Sequence, residues 1–384
     1  MLIRYGIDES GKRFERARIF TVEEHGISRA KIDREALLIT DRLQKEGYHA
    51  YIVGGAVRDL LTDKEPKDFD ICTDAQPKRV RRLFWNSRII GRRFRLVHVH
   101  FKNQIIEVST FRSNEPGADN NDFGTLEEDV ERRDFSINAL YYDPKKEQVI
   151  DFVRAMKDIR DKRMRSLLPL DSTFCEDPVR MIRAVKYSAA GGFAIPFTLR
   201  KSIKRFRPEL EKTPTSRMTE EVFKIYEGGR SAPIIKALEQ YGLLEIMIPE
   251  LRRAVLGENP KRGLREFLSR LEALDLLMGT EESIPRGRVI KEVYGSYLRL
   301  EGEHSFEELF KLAFRGIKEL LAPLTPPNAD VETAVKLLFE ERGIVKEKKK
   351  KKRRRRRKKK KTPEGESSEA SQILDQAPSE GSSS

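Results

Sequence analysis

Two cysteines in 384 residues, Cys72 and Cys175, are too few for a disulfide framework, and neither stands at a metal-ligand spacing. A reducing intracellular setting is expected. No run of about 18 apolar residues occurs, and the opening MLIRYGIDESGKRFERARIF has no apolar signal core. The chain is therefore expected to be soluble and cytoplasmic, without stable membrane insertion. Internal repeats, a P-loop and a G-x-G-x-x-G element are absent. A broad basic bias is also missing, although the net charge is +14. One unbroken run of fourteen basic residues, 348–361, carries the excess; without it 62 basic residues face 62 acidic ones.

The chain is organised around residues 51–72, YIVGGAVRDLLTDKEPKDFDIC. Tyr51, Ile52 and Val53 read as a short strand running into Gly54 and Gly55, then a helical piece with Arg58 and Asp59, and a turn at Pro66. Asp68-Phe69-Asp70-Ile71-Cys72 reads as a second strand. Alternation puts Asp68 and Asp70 on one face, Cα atoms roughly 6–7 Å apart, with Phe69 and Ile71 turned into a core. Paired carboxylates suit hard cations such as Mg²⁺. Paired glycines at a helix start let backbone N–H groups approach a phosphate. Alone, D-x-D commonly marks a solvated strand face and Gly-Gly a turn. Together within seventeen residues they point to phosphoryl or nucleotidyl transfer.

Residues 1–27 are charged and weakly patterned, read as a flexible lead-in. Asp33 is placed to cap a helix, with Ile32 and Leu37 as a hydrophobic staple and Ala36, Ile39 and Leu43 as its buried stripe, ending at Gly47. Pro77 opens a short amphipathic helix. Residues 96–101 alternate as a strand, and 105–109 as another with Ile106 and Val108 opposite Glu107 and Ser109; Lys102 and Asn103 read as the turn between them. No strand pattern follows about residue 170. Helices are expected near 176–190, 217–227, 232–241, 264–278, 287–299, 305–321 and 329–342. Residues 362–384 are low-complexity and disordered by composition.

Four motifs occur in order: GG-x₂-RD at 54–59, DFD at 68–70, RRDFSIN at 132–138 and EDPVRMIRA at 176–184. This set resembles the nucleotidyltransferase family of bacterial poly(A) polymerases and class II CCA-adding enzymes over roughly residues 24–250. HGISRAKI at 25–32 and GRRFRLVHV at 91–99 look like the poly(A) polymerase branch. The resemblance implies an α+β nucleotidyltransferase head with a mixed sheet and helices, then an all-α neck and body and a disordered basic tail. The expected divisions are a lead-in at 1–27, a catalytic head at 28–155, a neck with a base-recognition helix at 156–215, an RNA-binding helical body at 216–345 and a tail at 346–384.

The resemblance also implies roles. Asp68 and Asp70 would hold two Mg²⁺ ions; Glu107 is either a third metal carboxylate or an ion-pair partner of Arg112 or Arg58. Gly54, Gly55 and Arg58 would position the β- and γ-phosphates of ATP, the substrate, while Asp59 pairs with a nearby arginine. Arg133 and Asp134, the latter taken as catalytic, would contact the nucleotide sugar or brace the metal site, or else form a structural ion pair. Asp177, Arg180, Arg183 and Lys186 recur every three residues near one helix face. A carboxylate accepting from an exocyclic amine beside an arginine donating to a ring nitrogen favours A and C over G and U. The alternative is an ordinary surface ion pair. Lys186 stands where the family usually has arginine, which puts that contact in doubt.

The basic run, with Lys351, Arg353, Arg355, Arg357 and Lys359, would hold RNA phosphates by counterion release, without aromatics for stacking. A solvated tail, an anionic-membrane patch and a nuclear address are its other readings. The expected activity is template-independent addition of AMP to RNA 3′ ends, in RNA polyadenylation and turnover. Expected partners are RNA 3′ ends, ATP and RNA-degradation proteins. CCA addition to tRNA is the alternative; an RNA-binding protein on an inactive transferase scaffold is the alternative of another class. The motifs do not separate ATP alone from CTP then ATP.

Overall fold

Asp33 caps the first long helix as its sequence dictates: its carboxylate accepts from Ala36 N at 3.0 Å, and the helix Arg34–Lys45 buries Ala36, Ile39, Thr40 and Leu43. The chain leaves it through Gly47 at φ +87°, in the left-handed region glycine tolerates, and enters the sheet. The computed structural model describes residues 1–7, 10–91, 96–102, 104–113, 123–281, 283–300 and 304–345. Its strands are β1 (Leu2–Ile7), β2 (Arg13–Phe20), β3 (Ala50–Val53), β4 (Asp70–Thr73), β5 (Ser87–Ile90), β6 (Leu96–His100), β7 (Ile105–Thr110), β8 (Leu140–Asp143) and β9 (Gln148–Asp151). They form one mixed sheet in the order β1-β2-β9-β8-β3-β4-β7-β6-β5. The β4–β7 pair is parallel; the other pairs are antiparallel. Helices follow from Leu170 to Glu341. This is the expected α+β plan, a mixed-sheet head and then helices.

The residues expected to be a flexible lead-in are instead a hairpin. β1 pairs with β2, and β2 extends the sheet through β9, so the sheet begins before residue 28. Its pattern is faint because an edge hairpin buries little: only Ala17 and Ile19 of the two strands are buried. The turn expected at 102–103 joins β6 to β7, but Asn103 lies outside the described residues, as do 92–95 of the GRRFRLVHV motif and the whole tail at 346–384.

Strand alternation divides the sheet into two apolar faces. One gathers Ile52, Ile71, Ile106, Val108 and Leu140 under helical Ile39, Val57, Leu60 and Val80. The opposite face gathers Tyr51, Val53, Cys72, Tyr141 and Ile150 with Val130. Within that second face sits a buried charge. Asp129, 3% exposed, accepts from Tyr141 Oη at 2.6 Å, Arg133 Nη2 at 2.9 Å and Arg132 Nε at 3.1 Å. Burial works to raise its pKa, but the two arginines and the tyrosine hydroxyl hold it well below the usual carboxylate range.

A carboxylate depressed in the folded state stabilises above its unfolded pKa of about 3.9, and that contribution is lost as pH falls from there toward the lower folded value. Urea midpoints measured downward from neutral pH should therefore drop below about pH 4, and Asp129→Asn should be less stable at neutral pH with a shallower acid-side loss. An equally steep acid loss in the variant would show that Asp129 is not the group responsible.

Candidate active site

β3 ends at Val53, paired with Asp70, because Gly54 turns the chain away at φ +69° and ψ −127°. This turn corrects the expected register. β4 starts at Asp70, so Asp68 precedes the strand in extended chain rather than sharing its ladder: no residue of β3 remains to pair with it. Phe69 packs against the helix-covered core and Ile71 is fully buried, as expected. The parallel register Ile71↔Val108 sets Glu107 abreast of Asp70, on the face away from the helices. Asp70 is open to solvent yet crowded by protein, as on the floor of a cleft. Burial first, then the charges of Glu107 and Asp68, push its pKa up to about 6 against the pull of Arg133 and Lys224. Burial raises Glu107 too, opposed by Lys224 and Arg112. Three carboxylates thus act on one another, and a divalent cation fits the charge they concentrate and their all-oxygen chemistry. Among the described residues no three His, Cys, Asp or Glu side chains are already drawn into a closed metal cluster.

Glu107 pairs neither with Arg58 nor through a short bond to Arg112; its near neighbour is His98, Nε2 to Oε2 3.6 Å, across the β6–β7 ladder. Arg58 is committed elsewhere. Its Nε donates to Asp59 Oδ1 at 3.0 Å, as the expected Asp59 pairing requires, and its Nη1 donates to Asn138 Oδ1 at 2.7 Å. Its guanidinium also lies over the Tyr187 ring at 4.9 Å. Gly54 and Gly55 begin the helix Gly55–Leu61 beside it, and a side chain at Gly54 would bring a Cβ within 3.7 Å of Arg133 Nη1.

Arg133 and Asp134 each lie in a buried ion pair, with Asp129 and Arg183 respectively, the structural alternative that sequence reasoning left open. Arg133 donates to Asp129, to Tyr141 Oη at 2.8 Å and to Asn138 O at 3.0 Å, which fills its planar fork. Asp134 is 7% exposed and accepts from Phe135 N at 2.8 Å, Asn138 Nδ2 at 3.2 Å and Arg183 Nε at 2.7 Å. Burial tends to raise its pKa, and Arg183 and Asn138 hold it below the ordinary value. A catalytic Asp134 is corrected to a positioning residue, because its carboxylate is consumed by these bonds.

The helix Val179–Gly191 carries the expected stripe, with Val179, Ile182 and Val185 buried, and stops at Gly192 in the left-handed region, φ +73°. Arg183 is spent on Asp134, and Lys186 donates to Glu221 Oε2 at 2.8 Å. Asp177 and Arg180 differ. Asp177 Oδ2 accepts from Arg217 at 2.6 Å and lies 3.5 Å from Arg180 Nε, while Asp177 Oδ1 and Arg180 Nη1 are buried without a partner. An acceptor and a donor, side by side and unsatisfied, are what an amine beside a ring nitrogen would complete.

Three residues here escaped sequence reasoning. Asn138, inside RRDFSIN, links Arg58, Arg133 and Asp134. Tyr187 receives Arg58, Arg183 and Lys186 around one ring at 4.9, 5.4 and 5.5 Å, and its position seven residues after Arg180 was the available signal. Lys224, exposed on the helix Thr215–Tyr226, bears on both Asp70 and Glu107 from a distant part of the chain and left no local signal. The expected RNA contacts Lys351, Arg353, Arg355, Arg357 and Lys359 lie outside the described residues.

Comparison with known proteins agrees with this geometry. Residues 50–165 match the Poly A polymerase head domain, and residues 192–255 match a domain described as a probable RNA and SrmB-binding site of polymerase A. Poly(A) polymerase I of Escherichia coli O6:H1 is 42% identical over 262 residues, covering 64% of this chain and 56% of the relative. The CCA-adding enzyme of Geobacillus thermodenitrificans is 33% identical over 264 residues, covering 66% and 65%. The solved structure of the Bacillus stearothermophilus CCA-adding enzyme in complex with CTP aligns with a TM-score of 0.51 at 26% identity, over 80% of this chain and 82% of that one. The chain spans a little over half the length of the first of these relatives. With the glycine turn, the neighbouring carboxylates and the Asp177–Arg180 pair in place, residues 50–165 and 192–255 are similar to the head and RNA-binding segments of the nucleotidyltransferase family of poly(A) polymerases and CCA-adding enzymes.

Proposed function

We propose that the chain is a template-independent polynucleotide adenylyltransferase: the 3′-hydroxyl of an RNA attacks the α-phosphorus of ATP, a new P–O bond forms, and the bond to pyrophosphate breaks. The observation that carries this reading is the unsatisfied Asp177 Oδ1 and Arg180 Nη1, joined through the Arg183–Asp134–Asn138 chain to the sheet that bears Asp70. Unpaired buried polar atoms cost about 1–3 kcal/mol each, so a base that pairs both is favoured and one presenting the reverse edge leaves them unpaired. Adenine offers that edge. Gly54, Gly55 and Arg58 face the triphosphate, with Arg58 fixed in place by Asp59, Asn138 and Tyr187. Lys224 adds positive charge over the carboxylates. Asp68 and Asp70, supported by Glu107, are the residues that would hold Mg²⁺, two ions on this reading. Bound there, magnesium lowers the pKa of the attacking hydroxyl and neutralises the departing pyrophosphate. The division into head, neck, body and tail, cytoplasmic work in RNA turnover and a basic tail that grips RNA belong to the same reading.

Cytosine presents the same edge as adenine, and relatives named CCA-adding enzyme match at 32–33% identity against 36–42% for those named poly(A) polymerase I. CCA addition is thus the second reading. An extension assay with Mg²⁺ on an unstructured RNA and on tRNA lacking its CCA end, given ATP, CTP or both, separates them. A long ladder from ATP alone on unstructured RNA is expected; a three-nucleotide limit needing CTP and confined to tRNA would move the assignment. No incorporation under any condition would favour the non-catalytic RNA-binding reading.

Asp70→Asn should lower nucleotide incorporation by about 10²–10³-fold or more, the scale of losing one charge-organising group, with little change in the urea midpoint. Near-normal incorporation would remove Asp70 from the metal site. Arg180→Ala should act differently, mainly reducing discrimination of ATP over GTP in kcat/KM by about tenfold or more. An unchanged ATP-to-GTP ratio would return Asp177 and Arg180 to the status of a structural ion pair.

A further inference from the structure

The nucleotide contacts proposed above lie toward β3 and β8. The other half of the same sheet face, running from Glu107 to the free edge at β5, is unassigned. Its residues fall in a straight row. Asp70 stands beside Glu107 through the parallel register, Glu107 opposite His98, and His98 opposite Arg88. Four adjacent strands make this row roughly 14 Å long, at about 4.8 Å per strand. It ends at an unusual edge. Trp85, the chain's single tryptophan, is 84% exposed just before β5. Its ring is open while its backbone is pinned. Arg81 Nη1 donates to Trp85 O at 3.2 Å, and the next residue, Asn86, exchanges bonds of 2.8 and 2.6 Å with the His100 backbone. Arg81, Arg82 and Arg88 are exposed, and none is paired with a described carboxylate. Residues 77–91 hold Lys78, Arg79, Arg81, Arg82 and Arg88 and no acidic residue, although the folded part of the chain is near neutral overall.

A solvent-facing indole on a fixed backbone, in a segment whose exposed Arg81, Arg82 and Arg88 have no carboxylate partner among the described residues, fits a strand of unpaired bases and phosphates: bases stack on the aromatic plane and the arginines neutralise phosphates. Of the five cations only Arg79 has a carboxylate partner among the described residues, Glu46 at 3.5 Å, and an apolar protein partner would not call for the other four. Resting on the transferase reading, we propose that Trp85, Arg81, Arg82 and Arg88 form a track for single-stranded RNA upstream of its reactive 3′ end, Trp85 stacking a base while the Arg88–His98 row leads the strand to the carboxylates. The track's residues lie in the segment matched by the head domain and are separate in sequence from the helix Val179–Gly191.

The sole tryptophan reports on its own site. The full chain is titrated at raised salt, where phosphate-only binding is suppressed, with labelled oligo(A) and with an abasic strand of equal length. Tryptophan emission and label anisotropy are read together, and incorporation from ATP onto the same oligo(A) is measured in parallel. Oligo(A) should quench the emission along the anisotropy curve, and the abasic strand should not. Trp85→Ala should weaken oligo(A) binding about tenfold, with Trp85→Phe restoring most of it. Joint replacement of Arg81, Arg82 and Arg88 by Gln should lower the slope of log K against log salt by about 2, at about 0.7 per phosphate contact. Bound oligo(A) without quenching, or equal quenching by the abasic strand, overturns the track. Incorporation without a tryptophan response overturns the track and leaves the transferase reading standing; base-dependent quenching without incorporation upholds the track and overturns the transferase reading.

Discussion

The Asp134 carboxylate is the joint on which the site depends. A charge this buried is tolerated only when its partners replace the lost hydration, and here Arg183, Asn138 and Phe135 N do so. Phe135 and Asn138 are its neighbours in the chain, and Arg183 comes from 49 residues further on. Arg183 belongs to the helix Val179–Gly191, and Asn138 reaches Arg58 at the start of the helix after the glycine turn. One buried carboxylate therefore ties the helix Val179–Gly191 to the helix Gly55–Leu61 after the glycine turn. Loss of Arg183 would strand the charge, which is worse than never burying it. Tyr187 strengthens the joint, because its ring takes cations from both sides of the same boundary.

A second buried carboxylate does similar work beneath the glycine turn. Asp129 fixes Arg133, and Arg133 lies beside Gly54, whose φ of +69° favours glycine. The two networks meet at Asn138, whose carbonyl accepts from Arg133 and whose amide serves Asp134. The consequence is a rigid frame in which almost every charged group is spent. Against that frame Asp177 Oδ1 and Arg180 Nη1 are charged-group atoms buried without a partner, with Asp177 held by Arg217. On the proposed reading, template-free choice of a base needs such a pair held still, since a mobile one would adjust to the wrong edge.

What the sequence made legible was local. The Asp33 cap, the alternation of Ile106 and Val108, the stop at Gly192 and most helices after 215 follow from patterns within one element, and the structure shows them. The glycine pair, Asp70 and Asp177 were also visible, because motif spacing carries them. Relations between elements were not. The β1–β2 hairpin is stabilised by β9, more than a hundred residues on, and so left only a weak pattern of its own. Asp68 falls off the strand because β3 ends at Gly54, which periodicity within DFDIC does not register. Lys224 reaches the carboxylates only through helix packing. The internal partners of Arg183, Lys186 and Asp134 were hidden for one reason: a motif says which charges meet, not which of them are already satisfied.

The sheet also explains why the carboxylates sit where they do. Facing the helix-covered side they would join Ile71 and Val108 in an apolar core, where neither could stay ionised. On the opposite side the apolar cluster covers Tyr51, Val53 and Cys72 but not Asp70 and Glu107, so the open cleft coincides with the end of that cover. The parallel β4–β7 pair then decides their relation. Its register places Glu107 and Asp70 abreast, each one residue before a buried partner of the Ile71–Val108 pair. The groups proposed to meet the nucleotide lie toward β3 and β8, and β6 and β5 lie on the other side of the carboxylates. Two substrates that meet end to end at one phosphorus, as the proposed transfer requires, need two approaches, and on that reading the strand order offers one on each side of the carboxylates.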